Sequence, residues 1–148
     1  MIKRNKWKYF SLDQLYEYHG CYTTQWSRKS NVPISEKGVA ACRDICESEG
    51  FTYFGFECPM EADVHCECSN TLTASHVVDD IKCQRFNTAS GNHCIGPFSV
   101  YTKFGIYYMG AGDLNSAYAV EPTVKGSLIS IFKINLDFVC DIVTFKTR

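Results

Sequence analysis

The sequence contains no basic stripe, no phosphate-binding loop and no clean apolar run of membrane length, and each absence removes a class of function. Lys and Arg number 15 against 16 Asp and Glu, for a net charge of −1. The signs are mixed along the chain, so the positive surface that nucleic-acid binding needs is missing. The most basic stretch, KRNKWK at Lys3–Lys8, reads as a solvated lead-in. The longest apolar stretch, SLISIFKINLDFVCDIVTF, carries Lys133, Asp137 and Asp141. Each would cost about 2.5–3.5 kcal/mol at the centre of a membrane helix, so no span is expected.

Reactive signatures are equally scarce. There is no G-x-S-x-G nucleophile elbow. GAGDLN at Gly110–Asn115 lacks the strand and the further glycine that dinucleotide binding requires. His65, His76 and His93 have no nucleophile signature beside them. Asp79 and Asp80 are adjacent, whereas glycoside hydrolysis needs two opposed carboxylates. No Asn-x-Ser/Thr glycosylation site occurs. These observations argue against an enzyme, and no cofactor is expected.

Cysteine, by contrast, is abundant. Nine occur in 148 residues, and eight of them lie between Cys21 and Cys94. That density indicates disulfides in an oxidising compartment, where they stand in for a core too small to build otherwise. Zinc is the rival, since Cys42, Cys46, Cys66 and Cys68 offer four thiolates. Cys-x-Cys splays adjacent ligands poorly, however, and no His-x3-5-His partner exists among His19, His65, His76 and His93. Four buried free thiols are the bland alternative. The N-terminal MIKRNKWKYFSLDQLYEY has no apolar run long enough for a signal peptide. The reading favoured for an exported protein is that its natural N-terminus lies upstream.

The two cysteine spacings differ in kind. SEKGVAACRDICESEG (Ser35–Gly50) predicts an amphipathic helix, with Ser35 as cap, Glu36 at the positive end and Gly50 as terminator. Val39, Cys42, Ile45 and Cys46 share one side of it. FTYFGFEC (Phe51–Cys58) and VHCECS (Val64–Ser69) predict a β-hairpin turned by PMEAD. Residues four apart on a helix share a face, as do residues two apart on a strand. The separations match, about 6 Å and about 6.6 Å, so two disulfides can staple the helix to the sheet side by side. HGCYTT (His19–Thr24) reads as a first strand and SRKSNVP (Ser27–Pro33) as a loop. Asn70–Cys94 reads as a long loop, and GPFSVYTKF (Gly96–Phe104) as a closing strand. His65 should face away from the cysteines, at the surface.

In this order, YHGCYTT, CRDIC, GFTYFGFE, CECSN, DIKC and CIGPFSVY resemble the WSC domain, a cysteine-rich extracellular module similar to the PAN/apple fold. The resemblance covers residues 18–104, with 1–17 as a lead-in and 105–148 as a β-rich extension or a truncated second domain. It implies an α+β fold, one main helix on an antiparallel sheet, and pairings Cys42–Cys66, Cys46–Cys68 and Cys21–Cys83. The family's partner for Cys94, expected near Asn87, is absent, while Cys58 is extra. Cys58–Cys94 is the pairing favoured, which leaves Cys140 over, and Cys94–Cys140 competes with it. Ile95 replaces a glycine usual in the family. In the extension, Phe132–Val143 alternates strictly as a half-buried strand that docks on the domain or begins a second one.

The resemblance further implies recognition of polysaccharide or glycoprotein glycans at a cell surface or wall. Candidate contacts are Trp26, favoured for its polar loop beside Arg28, then Tyr22, Arg28 and Tyr101, with Tyr53 and Phe54 as further aromatics whose flat rings suit sugar faces. The alternative is a protein-interaction or accessory domain that engages another protein through its C-terminal extension.

Overall fold

A computed structural model of the chain describes residues 14–23, 26–84, 93–95 and 98–123. The basic lead-in, the tail strand Phe132–Val143 and Cys140 lie outside these residues. Strands β1 (Tyr16–Tyr22) and β2 (Ser27–Pro33) precede helix α1 (Glu36–Ser48). Strands β3 (Tyr53–Glu57) and β4 (Asp63–Ser69) form the expected hairpin. A 3-10 turn (Ala74–His76), the two-residue β5 (Val77–Val78) and the short α2 (Ile81–Gln84) follow. The described part ends with β6 (Ser99–Thr102), β7 (Gly105–Tyr108) and β8 (Asn115–Pro122). Six strands make one sheet in the order β2-β4-β3-β8-β1-β5, and β6 pairs with β7 in a separate two-stranded ribbon. Every pairing is antiparallel. The architecture is α+β, one main helix packed on an antiparallel sheet.

Helix α1 forms where its period and cap place it. Ser35 accepts the Gly38 N–H at 3.2 Å, and Gly50 closes the end with a φ of 84°. Its inner face carries Val39, Cys42 and Cys46 onto Phe54, Phe56, Val64, Cys66 and Cys68. Disulfides join Cys42 to Cys66 and Cys46 to Cys68. The ribbon covers the rest of this face, with Val100, Tyr107 and Met109 entering the same core as Tyr118 and Val120 of β8. Arg43 fastens the helix to the sheet, its Nε donating to the Val120 carbonyl at 3.0 Å.

Three segments differ from the sequence expectation. Ser27–Pro33 is an edge strand paired with β4, not a loop. Only Val32 of its residues is buried, so there is no apolar alternation to betray it, and Arg28, Lys29 and Pro33 blunt the open edge. Residues 105–123 are not set apart from the domain, because β8 lies between β3 and β1 in the main sheet. Nor does the expected lead-in stop at residue 17. Tyr16 begins β1, Gln14 Oε1 accepts the Ile106 N–H at 2.6 Å, and Leu15 N–H donates to Phe104 O at 3.0 Å.

Gly38 weakens the first helical turn by propensity but is required by packing. A Cβ there would run into the Pro33 backbone carbonyl, since α1 crosses the end of β2 at contact distance. Gly38→Ala should therefore lower the thermal midpoint, although the same exchange in an open helix gains up to about 1 kcal/mol. A midpoint equal to or above that of the parent protein contradicts this packing.

Candidate functional site

The ribbon and β1 enclose a cleft of about 280 Å³ lined by Gln14, Tyr18, Asp80, Gln84, Ile106 and Tyr108. Each wall is fixed by a different element. Tyr18 projects from β1 and packs on Tyr118 of β8, ring centroids 5.2 Å apart. Tyr108 projects from β7, whose backbone N–H donates to the buried Tyr118 hydroxyl at 2.6 Å. The Tyr18 and Tyr108 rings meet edge to face at 5.5 Å. Asp80 sits in the turn entering α2, where its carbonyl accepts the Cys83 N–H at 2.9 Å. Cys83 is bridged to Cys21, three residues beyond Tyr18 on β1. One disulfide therefore holds the carboxylate wall against the aromatic wall.

The adjacent aspartates have separate tasks. Asp79 Oδ1 accepts the Ile81 N–H at 3.1 Å and caps the α2 turn. Asp80 Oδ1 instead accepts the Tyr18 hydroxyl at 3.2 Å. Burial, then the Asp80 charge and that hydrogen bond, push the Tyr18 hydroxyl well above its ordinary range. It stays protonated and remains a donor. Burial also raises Tyr108, with Tyr101 and Asp80 adding to the effect. Tyr101, 76% exposed, lies opposite Ile106 in the ribbon and shares its outer face with Tyr108. The cleft thus offers ring faces, a carboxylate and two carboxamides in one small space.

The sequence candidates divide between this cleft and the opposite side of the sheet. Tyr101 stands beside the cleft. Trp26 packs at 6.4 Å on Tyr53, which also meets His19 at 5.4 Å. Trp26 and Tyr53 are half-buried, and Arg28 is exposed on β2 opposite Glu67. Tyr22 is 6% exposed, its hydroxyl donating to the His19 carbonyl, and Phe54 is wholly inside the core. Neither presents a ring to a ligand. Tyr18, Tyr108, Gln14 and Gln84 carry no sequence signal of binding, since the cleft joins residues some ninety positions apart only through the ribbon.

His65 does face away from the cysteines but is 6% exposed rather than at the surface. Its strand lies inside the sheet, between β2 and β3, and both faces are covered. His65 Nδ1 lies 3.0 Å from Glu57 Oε1, and Glu57 Oε2 accepts the Asp113 N–H at 2.7 Å. Glu67, 4% exposed, contacts the same Glu57. With both Glu57 oxygens engaged, the proton of this carboxyl pair belongs on Glu67. Burial first, then the charge and hydrogen bond of Glu57, raise the Glu67 carboxyl to about 8.

Cys21–Cys83 and Cys58–Cys94 complete four bridges. Cys58 adopts a φ of 58° just before Pro59, a left-handed conformation that non-glycine residues seldom take. Among the described residues, the side-chain groups close enough to share a metal ion are Cys42–Cys46–Cys66, Cys58–His93–Cys94 and Glu57–Cys58–His65. Each includes bridged cysteines, whose sulfurs are not thiolates. Four bridges suit an oxidising compartment. No helix among the described residues is long and apolar enough to cross a membrane. No family model matches the sequence, and a search among curated proteins finds no match.

The buried carboxyl pair dictates a pH dependence. In the unfolded chain Glu67 ionises near 4.5, so between that value and about 8 folding takes up a proton. Stability must fall as pH rises across this window, by at most a few kcal/mol. Thermal midpoints should drop from pH 5 to pH 8.5, and Glu67→Gln, which mimics the protonated form, should flatten the drop and raise the midpoint at the alkaline end. Parallel profiles for the two proteins contradict a protonated Glu67.

Proposed function

We propose that this domain is a non-catalytic extracellular recognition module of WSC type that binds carbohydrate through the cleft between β1 and the β6–β7 ribbon. The observation that carries the reading is the pairing of the Tyr18 and Tyr108 rings with Asp80, Gln14 and Gln84 around 280 Å³. A sugar ring offers apolar C–H faces and a fringe of hydroxyls. Tyrosine rings suit the first, and carboxylate and carboxamide groups accept from and donate to the second. The bridged cysteines suit secretion, and the bridges Cys42–Cys66, Cys46–Cys68 and Cys21–Cys83 are those that the family resemblance implies, while Cys58–Cys94 departs from its pattern.

Trp26 and Tyr53 provide a second, shallower aromatic contact on the other face of the sheet. The β2 edge beside them is charged and ends in proline, which disfavours strand addition by a partner protein.

Pull-down on insoluble β-glucan, chitin, chitosan and xylan tests the reading. The protein should be retained on at least one of them. Tyr108→Ala should weaken retention about tenfold, the effect of losing one stacked ring, with the thermal midpoint measured to exclude unfolding. Trp26→Ala should keep most of the binding. Failure of the parent protein to bind any glycan, or undiminished binding by Tyr108→Ala, contradicts the assignment.

A further inference from the structure

We infer that the Tyr18–Tyr108 cleft selects a protonated amine on its sugar, so that its ligand is a glycan containing 2-amino-2-deoxy residues with free amino groups. The inference rests on the carbohydrate reading and narrows it. Of the six lining residues, Asp80 alone carries a formal charge. The cleft is therefore anionic: it repels carboxylated or sulfated sugars and attracts a cation. The two tyrosine rings add to this attraction, because the negative face of an aromatic ring draws ammonium groups.

The carboxylate is a built part of the cleft. Its position is fixed by the α2 turn, by the Cys21–Cys83 bridge and by the Tyr18 hydroxyl at 3.2 Å. Tyr18 is an uncharged donor, and among the described residues no cation pairs with Asp80. Gln14 is held by the Ile106 N–H and the Tyr16 carbonyl and Gln84 by the Tyr18 hydroxyl, and neither neutral carboxamide discriminates by charge. An acetylated amine loses both the ion pair and the ring–cation attraction and keeps only the hydrogen bonds. Because the cleft is open to solvent, each of these two attractions is modest. Together they correspond to a preference of roughly three- to thirtyfold.

Binding of soluble glucosamine oligomers to the intact protein at mildly acidic pH, compared with the same oligomers after N-acetylation and with glucose oligomers of equal length, tests this. Glucosamine oligomers should bind most tightly, the preference should shrink as salt is raised, and Asp80→Asn should cut the preference to the small part that the tyrosine rings supply. Acetylated or glucose oligomers that bind as well as the amine form, or a preference undiminished by Asp80→Asn, would overturn the amine selectivity while leaving carbohydrate binding standing. A lysine-rich peptide that binds through Asp80 where the amino sugars fail would also overturn it, in favour of protein docking. No binding to any oligomer sinks the carbohydrate reading itself, and this inference with it.

Discussion

The fold depends on two neighbouring sulfur bridges, Cys42–Cys66 and Cys46–Cys68, which clamp α1 to β4. They join positions 24 and 22 residues apart, and loops of that length limit the unfolded chain by about 3 kcal/mol each in the chain-entropy account. Their second effect is on register. A one-residue slip of β4 would turn both cysteines away from the helix and bring His65 and Glu67 under it. The bridges thus decide which face of the sheet is apolar and which holds the Glu57–His65–Glu67 cluster.

From that clamp the rest of the domain follows outward. With α1 fixed over β2, β4 and β3, the β8 and β1 half of the same face remains for the β6–β7 ribbon to cover. The ribbon is bound there by tyrosine hydroxyls. Tyr118 accepts from the Tyr108 backbone, and Tyr107 accepts the Tyr16 N–H at 3.2 Å. Burial pushes Tyr107 up to about 12 and Tyr118 well above its ordinary range, so both remain neutral and can make these bonds without a buried charge. The cleft is the space left where the ribbon meets β1, and the Cys21–Cys83 bridge draws Asp80 to its rim. Cleft and fold share the same disulfide frame.

Much of this frame was legible in the sequence, because period alone assigns a face. The i, i+4 cysteines of α1, the i, i+2 cysteines of β4, the Ser35 cap and the β3–β4 hairpin all stand where the pattern puts them. The β2 strand was illegible because it is an edge, and a strand that buries one side chain has no alternation to show. The β8 strand was missed for the opposite reason. It is central and covered on both sides, so NSAYAVEP fills it with small side chains around Tyr118 instead of alternating. His65 was misplaced because alternation predicts the face of a side chain but not whether something covers it. The cleft was least visible, since Tyr18, Asp80 and Tyr108 come from β1, the turn into α2 and β7, and no local spacing announces them.

The most direct test of the clamp is mass mapping of disulfide-linked peptides from non-reduced protein. Cleavage at Arg43 and at Glu67 separates each cysteine from its neighbour, so the two bridges can be told apart. The account predicts a Cys42 peptide joined to Cys66 and a Cys46 peptide joined to Cys68. Free thiols at these four positions, or the crossed pairing of Cys42 with Cys68, would contradict it.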